Sequence, residues 1–432
     1  MSKVRSVALA RGLLVFVAVL AQSVAFARND LPTAKPERVG MSSERLEGMV
    51  PAMQGIVDQG RVSGVVTLVA RKGKVVHFST VGKQDIEANK PMAKDTIFRI
   101  YSMSKPITGV AMMILFEQGK WQLNDPVSKY IPEFKDLRVH AGVDADGNPI
   151  LKPQSHPMTM KELMSHTAGF TYGVFGNSPV DQLQRKADVL NNDITLEEMI
   201  RRVATLPLNS QPGEKWHYSI AVDIQGYIVE KLSGMPFDQF LDKHIFKPLR
   251  MVDTGFYVPQ EKVSRLAQVY NVDRDGKLRV ENGGFARDYT KNPKLFSGGG
   301  GLVSTAADYF RFCQMLLNGG SLDGVRILSP LTVELMRTNM IGDLNVTLGG
   351  AGSGTRFGLD FAIVEDPVAS GGYYGKGTFY WGGAAGTWFW IDPVHELIVV
   401  GMIQHLGASS GAAGMPDLRS LSRTIAYSAI VE

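Results

Sequence analysis

Val65-Val66-Thr67-Leu68-Val69-Ala70-Arg71-Lys72-Gly73-Lys74-Val75-Val76-His77-Phe78-Ser79-Thr80-Val81 reads as two β-branched runs, residues 65–70 and 74–81, joined through Arg71-Lys72-Gly73. β-Branched side chains fit a pleated surface, and a glycine in so short a connection marks a hairpin. A similar pair stands near the other end of the chain, where residues 387–391 and 396–404 flank the turn Asp392-Pro393-Val394-His395. Upstream of the first hairpin, Leu46, Met49, Val50, Met53 and Val57 recur at three- and four-residue steps, which predicts an amphipathic helix over 43–60 stopped by Gly60. Residues 420–430 read as a closing helix, and the long stretch between the hairpins is mostly helical, punctuated by Pro and Gly. The expected fold class is α+β: an antiparallel sheet from both chain ends, flanked by helices, with an inserted mostly helical domain. The sheet part is expected at about 28–100 and 320–432 and the helical part at about 106–300.

The first residues bear on compartment. Lys3, Arg5 and Arg11 precede or border an apolar run over 13–20, followed by the small-residue site Ala25-Phe26-Ala27. That is the layout of a secretory leader cleaved after Ala27, and the apolar run is shorter than the ~20 residues a spanning helix needs. The predicted product is periplasmic or secreted, with no stable membrane anchor after leader removal. The leader takes three of 46 basic residues and none of 42 acidic ones, so the mature chain carries a formal charge of +1. A near-neutral chain without Lys/Arg blocks gives no reason to expect nucleic acid as a partner. Cys313 is the only cysteine, so the fold rests on its core without an internal disulfide. Oligomeric state has no signature in the sequence.

Ser102-Met103-Ser104-Lys105-Pro106 opens an apolar segment, 107–116, that ends at Gln118-Gly119. A helix apolar on every side is buried, and Pro106 fits its first turn, so Ser102 is expected at the helix N-terminus with Lys105 one turn along on the same face. A serine hydroxyl is a weak nucleophile until a neighbouring base takes its proton, and a desolvated amine is such a base. The S-x-x-K spacing alone arises by chance about once in a chain of this length, and a helix-capping serine beside a surface lysine would look the same. Ser104 has no basic partner at helical spacing, which favours Ser102.

Two further stretches fit the same chemistry. Tyr218, in Gly213-Glu214-Lys215-Trp216-His217-Tyr218-Ser219, stands in a turn just before a helix over 220–232, where a phenol beside a cation can relay a proton; a tyrosine there is more often simple packing. Tyr380-Trp381-Gly382-Gly383-Ala384-Ala385-Gly386-Thr387 puts glycines inside a strand, and such glycines mark close backbone approach. A substrate carbonyl is one candidate for what approaches, with the N–H groups of Ala384 and Ser102 as a two-donor oxyanion hole. A bulge against a packed helix would leave the same glycines. Tyr172 is a candidate for the pocket lining.

Taken together, Ser-x-x-Lys, a Tyr-Ser turn and a Gly-Gly strand resemble the serine β-lactamase and penicillin-binding-protein superfamily, for which S-x-x-K, Y-x-N and K-T-G are expected. Residues 163–170 and 299–305 look like that superfamily's connectors. Ile220 stands where Y-x-N has its asparagine, and Trp381-Gly382-Gly383 replaces Lys-Thr-Gly, which makes the chain similar to the family VIII carboxylesterases. The resemblance implies Ser102 as nucleophile, Lys105 and Tyr218 as its activating pair, Trp381 shaping the acyl pocket, a small-molecule ester substrate, and no cofactor. It leaves open which of Lys105 and Tyr218 is the base. The alternative is a β-lactamase or D-alanyl-D-alanine peptidase or amidase of the cell envelope.

Several other features carry no site. Gly407-Ala408-Ser409-Ser410-Gly411 matches G-x-S-x-G, but the fold that uses that motif places an acid and then a histidine after the serine, and the last histidine is His405. No histidine spacing suits a metal. His166 and His217 read as hydrogen-bonded structural residues, Met112, Met113 and Met315 as core, and Thr305-Ala306-Ala307-Asp308 as a helix-starting capping box.

Overall fold

The structure, a computed structural model, describes residues 31–432 apart from 147–148, 274, 285, 349–351 and 408–416. The expected leader and most of the Gly407–Gly411 motif fall outside the described residues. An eight-stranded antiparallel sheet organises the molecule. Its strands are β1 (Gly64–Arg71), β2 (Lys74–Asp85), β3 (Lys90–Pro91), β4 (Thr355–Phe357), β5 (Ala362–Val364), β6 (Phe379–Gly382), β7 (Trp388–Asp392) and β8 (Leu397–Met402), in the spatial order β4-β5-β6-β7-β8-β1-β2-β3. Both chain ends supply it, and β1 pairs with β8 at its centre with Leu68 opposite Val400. The first hairpin forms because Lys72 (φ 49°) and Gly73 (φ 73°) both take left-handed conformations, the twist that suits a two-residue connection.

Helices cover both faces of the sheet: α1 (Ser43–Glu47), α2 (Met49–Asp58), α3 (Ser104–Glu117), α4 (Pro179–Ala187), α5 (Ala221–Ser233), α6 (Ala306–Leu317) and α7 (Leu418–Ser428) are those that matter for the site or the core. Alternate side chains of a strand point to opposite faces. Accordingly Val66 and Leu68 of β1 join the large core with α3, α5 and α6, while Val65 and Val69 join a second core under α1, α2 and α7. That two-sided burial is why β1 reads as an unbroken apolar run. Among the described residues no helix is long and apolar enough to cross a membrane.

Two expectations are corrected. The helix over 43–60 is two helices, because Gly48 both ends α1 and starts α2. The middle of the chain also contains strands: Arg138–Val143 pairs with Pro149–Pro153 and Tyr270–Val272 with Leu278–Val280. The expected helix start forms at Thr305, whose hydroxyl accepts the Asp308 N–H at 3.1 Å, and the Asp308 carboxylate accepts from the Asp253 N–H at 2.7 Å and the Thr254 hydroxyl at 2.9 Å. Met112, Met113, Met315 and Cys313 are buried core.

Gly401 of β8 stands opposite Trp388 of β7, and a methyl group added there would meet the indole at 2.1 Å. Neither neighbour has room to move, since Trp388 is itself buried. Gly401→Ala is expected to lower stability by about 1–3 kcal/mol, the usual cost of overpacking; urea unfolding measures it, and a wild-type midpoint would show that the sheet yields here.

Candidate active site

Ser102 lies in a single 3-10 turn, Tyr101–Met103, that runs directly into α3. The α-helix thus starts two residues later than the sequence suggests, with Pro106 still in its first turn. Ser102 is half-buried. Tyr101 before it sits at φ 43°, a left-handed conformation that costs a bulky residue about 1–3 kcal/mol and persists only where the surroundings enforce it. Here they do: the Ile100 N–H is held by the Leu302 carbonyl at 3.0 Å, and the Met103 N–H by the Ile100 carbonyl at 3.0 Å. The Ser104 hydroxyl accepts the Leu302 N–H at 3.1 Å in a fully buried position, which makes it a structural tie.

Lys105 has 0% of its surface exposed. Its Nζ donates to the Gly299 carbonyl at 2.6 Å and lies 3.4 Å from both the Ser102 Oγ and the Tyr172 hydroxyl. It also stands 4.5 Å from the ring centre of Tyr218 and 5.0 Å from that of Tyr172, so two aromatic faces replace lost hydration. The two tyrosines stack on each other at 5.5 Å. The indole N–H of Trp381 donates to the Tyr218 hydroxyl at 3.2 Å, leaving that phenol free to donate its own proton elsewhere. Burial holds the Tyr172 phenol well above its ordinary pKa, so it stays neutral.

The turn that carries Tyr218 is fixed by His166. The Ser219 N–H donates to His166 Nδ1 at 3.3 Å, and the Ser219 hydroxyl is 3.1 Å from the same atom. Burial, helped by the charge of Lys105 and the nearby His217, depresses the His166 pKa well below its usual value, so the ring is neutral with its proton on Nε2. His217 lies 3.2 Å from the Thr171 hydroxyl. Both histidines are therefore structural, as their sequence context suggests.

Two buried carboxyl groups stand behind the lysine. Asp223 of α5 accepts from the Ser297 hydroxyl and from the Gly299 N–H at 3.1 Å, so it holds the glycine segment whose carbonyl accepts the hydrogen bond from Lys105. Burial raises its pKa, and the Lys105 charge with the bonds from Ser297 and Gly299 opposes the rise. Asp360 accepts from the Gln225 amide at 3.1 Å, and burial pushes its carboxyl well up. It packs against α3 at Gly109, one turn beyond Lys105, where a methyl group would fall 2.8 Å from its Oδ2. Asp223 leaves a signal in the sequence, since it and Gln225 interrupt the apolar first half of α5, whereas Asp360 leaves none.

The Trp381-Gly382-Gly383 segment divides its neighbours by strand alternation. Trp381 faces the tyrosines. At Gly382 a methyl group would meet the Arg419 guanidinium of α7 at 2.5 Å, and at Gly383 it would meet the Ile100 carbonyl at 2.4 Å. The close approach that these glycines were expected to grant a substrate carbonyl is thus taken by the protein's own groups. The consequence at Gly383 is that the end of β6, and with it Ala384, abuts the turn that bears Ser102. The cluster joins a hydroxyl, an amine, two phenols and an indole in a largely desolvated aromatic setting, an arrangement able to activate the hydroxyl as a nucleophile. Among the described residues no group of three His, Cys, Asp or Glu side chains is placed to hold a metal ion. A separate cavity of about 280 Å³, bordered by Ile97, Asp238, Phe256 and Lys262, includes none of these residues.

A family model described as Beta-lactamase matches residues 50–422. Protein Rv1367c of Mycobacterium tuberculosis is 37% identical over 391 residues, which are 87% of this chain and 95% of its own. Esterase EstB of Burkholderia gladioli is 31% identical over 358 residues, 79% of this chain and 85% of its own. The solved structure of EstCE1, described as a hydrolase with promiscuous acyltransferase activity, matches with a TM-score of 0.72 and 29% identity across 89% of this chain and 98% of its own.

A methyl group on Gly299 would lie 2.4 Å from Asp223 Oδ2 and 3.0 Å from the Tyr172 hydroxyl. Gly299→Ala must therefore shift the carbonyl that holds Lys105. The expected outcome is slower labelling of Ser102 by a fluorophosphonate, by about 10²-fold, the scale set by ångström-sized misplacement. Labelling at the wild-type rate, followed by intact mass, would show that this carbonyl does not govern the site.

Proposed function

Because the chain belongs to the beta-lactamase family, we propose that it is a serine carboxylesterase acting on small carboxylic esters through an acyl-enzyme at Ser102. The observation that carries this reading is the buried amine of Lys105 within 3.4 Å of the Ser102 hydroxyl. In this scheme the Ser102 oxygen attacks the ester carbonyl while its proton passes to the Lys105–Tyr218 pair. The C–O bond to the alcohol then breaks, the Tyr218 phenol protonates the departing oxygen, and the acyl group stays on Ser102. Water repeats the attack, releasing the acid and restoring the hydroxyl. The N–H groups of Ser102 and Ala384 are the proposed donors to the oxyanion, in keeping with the close packing of Gly383 on Ile100. The esterase relative and the hydrolase structure among the matches support ester chemistry. The first 27 residues are proposed to direct export and to be removed.

A second reading, turnover of a β-lactam, is favoured by the description of the family model itself. Against it stands Trp381 where Lys-Thr-Gly would place a cation to hold a β-lactam carboxylate. Parallel assays with p-nitrophenyl butyrate and a chromogenic cephalosporin separate the two: hydrolysis of the butyrate is expected, and turnover of the cephalosporin alone would overturn the esterase reading. Ser102→Ala is expected to abolish hydrolysis and Tyr218→Phe to lower kcat by about 10²-fold or more, the range of a lost acid–base group. Wild-type kcat in the Tyr218 variant would remove the phenol from the proton path.

A further inference from the structure

Val174 and Phe175 are 45% and 51% exposed, although Phe175 borders a buried aromatic cluster. Single exposed apolar side chains carry little meaning; these two differ in what they touch and how they are held. One face of the Phe175 ring packs edge-on against Tyr172 at 5.3 Å and on Tyr218 at 5.6 Å, the two rings that surround the Lys105 amine. The rest of the ring is open.

The segment that presents them is clamped from both sides by α4. Asp181 accepts from the Thr171 hydroxyl, from the Gly173 N–H at 3.2 Å, and from the Ser178 N–H and hydroxyl at 2.9 and 2.7 Å. Burial alone would raise the Asp181 pKa, but these bonds outweigh it and hold the carboxyl below its usual value, so the clamp is fully charged at neutral pH. Arg185 donates to the Gly173 carbonyl, to the Gly176 carbonyl at 3.1 Å and to Asn177 Oδ1 at 2.7 Å. Gly176 has no space for a side chain, since a methyl group would sit 2.5 Å from Asp181 Oδ2. Fixing a surface loop costs conformational entropy, and two charged clamps spent on an exposed phenylalanine call for a reason beyond stability. Preorganised apolar surface beside a reacting group is what substrate recognition requires.

We infer that Val174 and Phe175 form the binding surface for the alcohol portion of the substrate, and that this portion is apolar and preferably aromatic. The inference rests on the proposed esterase reading, because it takes the Tyr218 phenol as the group that hands its proton to the departing alcohol. The alcohol oxygen must then come within hydrogen-bond reach of Tyr218, and whatever it carries emerges beside Phe175. A flat ring gains the kind of edge-to-face contact that Phe175 and Tyr172 already make with each other. Phe175 is a specificity-determining residue on this view, with Asp181 and Arg185 as its positioning residues.

The test compares naphthyl acetate with ethyl acetate, and naphthyl acetate with naphthyl hexanoate, in the wild type and Phe175→Ala. The expected result is a fall of about 10-fold in the ratio of kcat/KM for naphthyl over ethyl acetate, carried mainly by KM, the discrimination an apolar contact provides. Across the two naphthyl esters the loss is expected to be equal. Equal losses on naphthyl and ethyl acetate, or a loss that follows acyl length, would overturn the inference. Should the wild type hydrolyse none of these esters, the esterase reading falls and binding decides the surface: quenching of tryptophan fluorescence by naphthol in Ser102→Ala should weaken about 10-fold when Phe175→Ala is added. An unchanged affinity there would overturn it as well.

Discussion

A lysine with no exposed surface sets the terms for the rest of this molecule. Taking the polar head of a lysine out of water is costly unless new partners replace the lost hydration. Around Lys105 those partners come from three distant parts of the chain: the Gly299 carbonyl, the face of Tyr172, and the stretch that carries both the face of Tyr218 and the field of Asp223. Each needs its own support, which explains features that look unrelated. Asp223 fixes the glycine segment, His166 fixes the turn at Tyr218, and Trp381 occupies the Tyr218 hydroxyl from the far side.

The sheet makes that convergence possible by joining the chain ends. Pairing of β1 with β8 brings residues 64–71 against 397–402 and so fixes β6, two strands away, relative to the segment that follows β2. Gly383 then touches Ile100, and the left-handed conformation at Tyr101 turns the chain from that contact into α3. The strain at Tyr101 is held by backbone bonds to residues 100–103 and 302, so the position of Ser102 depends on two layers at once. Arg71 closes the same arrangement from the opposite end, where its guanidinium binds the carbonyls of Val39, Gly40, His395 and Glu432 and ties residues 39–40, 395 and 432 to the end of β1.

What could be read from the sequence follows how local each signal is. The first hairpin was legible because Lys72-Gly73 carries its own turn chemistry, and Ser102 and Lys105 because helical spacing alone puts them on one face. The break at Gly48 was hidden under a continuous apolar period, since Leu46 and Met49 face the same core on either side of it. Strands β4 and β5 have three residues each, too few to display alternation. The Gly299 carbonyl and the Phe175 ring were illegible for another reason: a backbone acceptor has no residue-type signature, and an exposed phenylalanine gains meaning only from neighbours fixed by residues far along the chain.

The distribution of charge around the site argues for a neutral substrate. The walls close to Lys105 are Tyr172, Tyr218, Trp216 and Trp381, and the last of these stands where the related motif carries a lysine. Arg419 lies against Gly382, on the opposite face of the strand from Trp381, and donates to the Thr387 carbonyl. A carboxylate drawn into this aromatic cleft would lose its hydration and meet an amine already bonded to Gly299, with the Asp223 carboxyl behind it. An uncharged ester loses little on entering, and under the proposed scheme it acquires charge only as the tetrahedral oxygen forms. The aromatic lining thus selects against charge in the ground state and leaves electrostatic stabilisation for the transition state.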